Sequence, residues 1–187
     1  YGSANLGGIL LGEEVTVRGL LYSMLLQSAN EAAMMLGDYV GDGSIGHFAD
    51  MMNQRAAELG CTGTSFADPA GFRDEEPTEN SWTTPRDMAI IFRRVMENDH
   101  LRKILQTRSF DIGPTNRHDS LNQFNYTNAL MSSASEYYYA PTDGGFISAA
   151  AGESPGIAVM ASTGGYGYLL VLLETPAGGD TAGTRQN

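Results

Sequence analysis

The stretch "LLQSANEAAMML", Leu25 to Leu36, decides how this chain folds. Before it, Val17, Leu20, Leu21, Met24 and Leu25 recur at i, i+3 and i+4, which predicts a helix entered from a Thr16 cap. After it, Ala32, Ala33, Met35, Leu36 and Val40 predict a second helix over about 31–40. Ser28-Ala29-Asn30 interrupts the two apolar runs. One reading makes Ser28 or Asn30 the cap of the second helix. The other has a helix–turn–helix corner projecting both side chains into one cleft. There a serine hydroxyl can relay a proton, and an asparagine amide, both donor and acceptor, can hold a peptide group.

Working outward, "GDGSIG" (41–46) has the letters of a dinucleotide-binding loop, but it follows a helix rather than a strand and reads as a turn. Ser44 then caps a helix over about 44–59 that is expected to bury Phe48, Met51, Met52, Ala56 and Leu59, with Gly60 closing it. Strand-like and turn signals mix over 61–72, and 73–82 is a polar loop. Thr84-Pro85-Arg86-Asp87 starts a helix carrying Met88, Ile91, Phe92 and Val95, and a short helix follows at about 99–106. "TRSFDI" reads as a strand, and 113–145 as a long irregular region. "GIAVMAS" (156–162) and "YGYLLVLLE" (166–174), joined at Thr163-Gly164-Gly165, form a hairpin, and 176–187 is expected to be a disordered tail. Helices first and a clear sheet pair last predict an α+β fold, a helical cluster packed on an antiparallel sheet, within one domain.

Charge narrows the function. The net charge is −11, with 22 acidic against 11 basic residues, which argues against nucleic acid and anionic membrane surfaces as partners. Lys103 is the single lysine, and its spacing places it on the solvent side of its helix. The lone cysteine, Cys61, reads as a small packed hydrophobe. No apolar run reaches the ~18 residues of a membrane span. His47, His100 and His118 have no Asp, Glu or Cys at ligand spacing, so neither a metal nor another cofactor is expected. Asn125-Tyr126-Thr127 matches a glycosylation acceptor by letters alone.

"GEEVTVRGLLYSMLLQSANEAAMMLGDYV" resembles the serine-type D-alanyl-D-alanine carboxypeptidases, low-molecular-weight penicillin-binding proteins of peptidase family S11. The resemblance continues through "FADMMNQRAAELGCTGTSFADPAGF", "TTPRDMAIIFRRVM", "RSFDI", "NYTNALM" and the final hairpin, over residues 5 to about 175. It implies the β-lactamase/transpeptidase-like fold, with 1–175 as a partial penicillin-binding domain. Three motifs carry that family's chemistry: S-x-x-K with the nucleophile and its lysine, S-x-N on the cleft wall, and K-T-G on a sheet-edge strand. Ser28-Ala29-Asn30 matches the second. The resemblance thus gives Ser28 a proton-shuttling role and has Asn30 bind the substrate amide.

The other two motifs are degenerate here. Position 100, three before the only lysine, is His100, and the family's S-x-x-K lies several tens of residues ahead of S-x-N, so it is expected upstream of this chain. In "TDGGFISAAAG", Gly145-Phe146 aligns with the family's glycine and following aromatic, which puts Asp143 and Gly144 where lysine and threonine belong; an alignment through a shortened loop stays open, and it too offers no lysine. Loss of a serine-hydrolase nucleophile costs on the order of 10⁶ in kcat. The resemblance therefore implies a homologue that acts on peptidoglycan stem peptides or β-lactam-like ligands outside the cytoplasmic membrane, with no turnover in the chain as written. The alternatives are a noncatalytic peptidoglycan- or partner-binding module on the same scaffold, and an α+β domain sharing only the scaffold. A partner segment is expected to fill the part of the core that an N-terminally shortened member leaves open.

Overall fold

The computed structural model describes residues 7–71, 81–119, 121–125, 128–147 and 156–173. Among them, helices α1 (Val17–Gln27), α2 (Asn30–Val40), α3 (Ile45–Glu58), α4 (Pro85–Met96) and α5 (Asp99–Gln106) precede strands β1 (Ser109–Gly113), β2 (Leu121–Asn125), β3 (Thr142–Ile147), β4 (Ile157–Thr163) and β5 (Tyr166–Leu172). β1 and β2 form an antiparallel ribbon, and a second antiparallel sheet runs in the order β3-β4-β5. The α+β expectation holds.

Local chemistry explains the helix starts. Thr16, Ser44 and Thr84 each accept a backbone N–H three residues on, from Gly19, His47 and Asp87. Asp87, buried in the first turn of α4, turns away from its own helix. Its carboxylate accepts Gly63 N–H at 2.8 Å and the Thr64 hydroxyl at 2.9 Å, so an end-of-helix acid doubles as a tertiary tie. Cys61 is buried beside it, and burial followed by the Asp87 charge pushes its thiol pKa up. The "GDGSIG" segment is a helix–helix turn, with Asp42 and Gly43 at φ 55° and 80°.

Three of the packing centres among the described residues join the layers. Leu20, Ala29, Ala32 and Leu36 seal α1 against α2. Tyr22, Leu26 and Ile104 join α1 to α5, and Tyr22 stacks on Phe110 of β1 with centroids 3.6 Å apart. Phe92, Met96 and Leu105 bury one face of the β4–β5 hairpin through Ala158, Met160, Leu169 and Val171. Gly164 and Gly165, at φ 61° and 81°, close that hairpin with the two-residue turn that right-twisted strands favour.

Two expectations are corrected. Residues 113–145 are not one irregular region: β2 and a 3-10 turn at Ala129–Met131 lie within it, and β3 begins there. "LNQFN" has no regular alternation and "TDGGFI" carries two glycines, so pairing rather than side-chain pattern makes them strands. On α3, Ala49 and Ala56 are the buried positions, while Phe48, Met52 and Leu59 are half-buried and Met51 is exposed. Together with Phe66 and Ile91 those apolar side chains line an open groove of about 550 Å³. The tail 176–187 and most of the polar loop lie outside the described residues.

Candidate active site

Ser28 ends α1 in the left-handed conformation, φ 58° and ψ 38°, a costly backbone for a residue with a side chain. Its N–H donates to the Ser23 carbonyl, and Ala29 N–H reaches the same oxygen at 3.4 Å. The N-cap of α2 is Ala29, and no side chain caps that helix. The capping reading of Ser28 or Asn30 is thereby set aside. Both side chains are half-buried at the corner, while Ala29 between them is fully buried.

The corner has a built rear wall. Gly7 lies so close that a Cβ there would sit 2.6 Å from Ser23 Oγ and 3.0 Å from Ala29 Cβ. Ile9 N–H donates to Glu31 Oε1 at 3.4 Å, one residue past Asn30. Ser23 is fully buried, yet its Oγ has no hydrogen-bond partner among the described residues.

Asp143, Gly144 and Gly145 come together on β3, an edge strand of the larger sheet. The pairing shifts register between Thr142 and Gly144, so Asp143 sits at a bulge. Its carboxylate accepts the Ser162 hydroxyl across the strand pair. Gly144 and Gly145 are buried; a Cβ on Gly145 would meet the Ala158 carbonyl and Val159 Cγ2 at 2.9 Å and Asn128 Nδ2 at 3.0 Å. Asn128 is buried, and its Oδ1 accepts Leu130 N–H at 3.0 Å.

The two groups sit on different elements. The main neighbours of β3 are β4, α5 and the 3-10 turn, and α5 also packs on α1, so α5 is the body through which corner and edge strand are related. Lys103, on α5, is exposed.

Sequence reading missed a third feature, the polar knot at Glu13. Its buried carboxylate accepts Leu10 N–H at 2.8 Å, the Thr115 hydroxyl at 2.5 Å and His118 Nδ1 at 2.9 Å. Burial raises its pKa, but these hydrogen bonds and the His118 charge outweigh burial and hold it at about 2. Asn116 adds two bonds to the same strap, accepting Glu14 N–H at 2.8 Å and donating to the Gly12 carbonyl at 3.0 Å. No spacing rule joins residues so distant in sequence. Among the described residues no cluster of three or more His, Cys, Asp or Glu side chains could hold a metal ion, and no helix is long and apolar enough to cross a membrane.

A family model described as D-alanyl-D-alanine carboxypeptidase, peptidase S11, matches residues 5–154. The D-alanyl-D-alanine carboxypeptidase DacF of Bacillus subtilis is 30% identical over 109 residues, 56% of this chain and 27% of that protein. A D-alanyl-D-alanine carboxypeptidase of Streptomyces strain K15 is 30% identical over 135 residues, 68% of this chain and 45% of that protein. The crystal structure of the Streptomyces K15 DD-transpeptidase superimposes with a TM-score of 0.83 at 26% identity, covering 98% of this chain and 68% of that one. The chain thus spans less than half the length of either curated relative.

Proposed function

The chain belongs to the D-alanyl-D-alanine carboxypeptidase family, peptidase S11, and from that premise we propose that its α1–α2 corner is a wall of a cleft for peptidoglycan stem peptides or β-lactam-like ligands. Ser28 serves there as proton relay and Asn30 as holder of the substrate amide. Asp143, Gly144 and Gly145 stand at the place of K-T-G. The observation that carries this reading is the backbone of Ser28. A left-handed serine costs roughly 1–2 kcal/mol; it gains the N–H bond to the Ser23 carbonyl that ends α1, but no cap of α2. Strain of this kind persists where a side chain has to be aimed.

In this reading the chain binds without turning over. Its one lysine is exposed on α5, and the carboxylate at the place of the K-T-G lysine is engaged by Ser162. Replacing a carboxylate-binding cation by an anion repels the substrate terminus by several kcal/mol. For the chain as written, that favours a noncatalytic peptidoglycan-binding or partner-binding role over hydrolysis, in an extracytoplasmic setting. Tyr166, Tyr168 and Leu170, exposed by 70%, 56% and 43%, line one face of β5. A further segment packed on this face fits the partner expected from the sequence.

Calorimetric titration with an N-acylated peptide ending in D-Ala-D-Ala tests the reading. Measurable heat is expected from the native chain, with binding weakened about fivefold to a hundredfold by Asn30→Ala, the loss of a buried amide contact. A fluorescent penicillin should leave the polypeptide unlabelled. Absence of heat overturns the binding role, and a covalent adduct on any serine overturns the inactivity.

A further inference from the structure

Resting on the corner as a ligand-binding wall, we propose that Glu13 and His118 are positioning residues for Ser28 and Asn30: they latch residues 7–16, as a strap, against the back of the corner and hold Ser28 in its left-handed conformation. The strap has two anchors. At one end Gly7 packs on Ser23 and Ala29, and Ile9 N–H bonds the Glu31 carboxylate. At the other, Glu13 gathers the Leu10, Thr115 and His118 donors, with Asn116 binding Gly12 and Glu14 alongside. Ser23 links strap to corner, because its carbonyl receives both Ser28 and Ala29 N–H groups while Gly7 lies beside its side chain.

The loop that supplies Thr115, Asn116 and His118 follows β1, whose Phe110 stacks on Tyr22 of α1. Corner, strap, loop, β1 and α1 therefore close a mechanical ring. A left-handed serine persists only where its surroundings over-determine it. Of the two bonds to the Ser23 carbonyl, that from Ala29 is long at 3.4 Å. The strap behind fully buried Ala29 adds a further constraint. Neither Glu13 nor His118 is assigned contact with the ligand.

Hydrogen–deuterium exchange on the full chain tests this. His118→Ala should speed exchange at the Ser28 and Ala29 amides at least tenfold while α4, α5 and β4 keep native protection. His118→Asn, whose side-chain NH₂ can replace the Nδ1 donor, should restore the corner to within about twofold. Faster exchange confined to 7–16 and 114–118, with 23–33 unchanged, reduces the knot to a loop tie and overturns the proposal. Should His118→Ala loosen the whole chain, the milder Glu13→Gln is read by the same rule.

A parallel titration with the D-Ala-D-Ala peptide separates this from the ligand reading. Binding by the native chain, weakened at least fivefold by His118→Ala and recovered by His118→Asn, supports both. If the native chain binds no peptide, the ligand reading fails, and exchange at the corner alone decides the latch.

Discussion

Glu13 Oε1 and His118 Nδ1 lie 2.9 Å apart although 105 residues separate them in the chain. The carboxylate is buried among donors from its own strap and from the loop after β1. A contact this distant in sequence and this enclosed closes the first described residues onto the middle of the protein.

Acid should open it. The folded pKa of Glu13, about 2, lies below its ordinary value of 4.5, so the folded state gives up the proton more readily than the unfolded one. Its contribution to stability is complete above about pH 4.5 and is lost as pH falls through about 2. The charged group facing it is His118 on the loop. Between those pH values the thermal midpoint of the native chain should fall more steeply than that of Glu13→Gln. Parallel slopes would show that the carboxylate contributes nothing.

Ser28→Gly separates stability from binding. Glycine tolerates φ 58° without a Cβ penalty, so the variant should be about 1 kcal/mol more stable. For a chain of 187 residues that raises the midpoint by about 2–4 °C. Peptide affinity should drop in the same variant. A stabilised variant that binds as well as the native chain removes the hydroxyl from the site.

Gly145→Ala tests the crowding behind β3. The new methyl would meet the Ala158 carbonyl at 2.9 Å, backbone that cannot swing aside, as well as Val159 and Asn128. Overpacking of this kind costs roughly 1–3 kcal/mol. Chemical denaturation should show the loss as a lower midpoint with an unchanged slope, and a neutral result would mean that β3 can shift.

Tyr168→Lys reads the uncovered face of β5. In this chain alone the change should stay within about 0.5 kcal/mol, as at an ordinary surface position. In a longer protein that carries the covering segment it should cost roughly 1–3 kcal/mol, the burial of an aromatic side chain. A large loss in the chain alone would show that the face is already packed.

Much of this architecture could be read from the chain. Helix starts at Thr16, Ser44 and Thr84 are legible because capping is local chemistry, and the β4–β5 hairpin because two glycines sit between apolar runs. β2 and β3 were hidden, since pairing with the neighbouring strands β1 and β4, rather than alternation, makes them strands. The corner at Ser28 stood out as a break between two helical patterns, but its handedness did not: serine gives no warning of a positive φ. The Glu13 knot left no trace, because its members share neither an element nor a spacing. Met51 was misplaced because helical periodicity finds an apolar stripe without telling whether a neighbour covers it.

The β4–β5 hairpin, 156–173, contains no charged residue, whereas the whole chain carries −11. Mutual repulsion between acidic coats opposes the meeting of one copy's tyrosine-lined strand with another's. That repulsion vanishes near the isoelectric point of about 4.5, well before the pH of about 2 at which the buried carboxylate of Glu13 takes up its proton. On acidification the chain should therefore lose its charge repulsion before the Glu13 carboxylate is protonated.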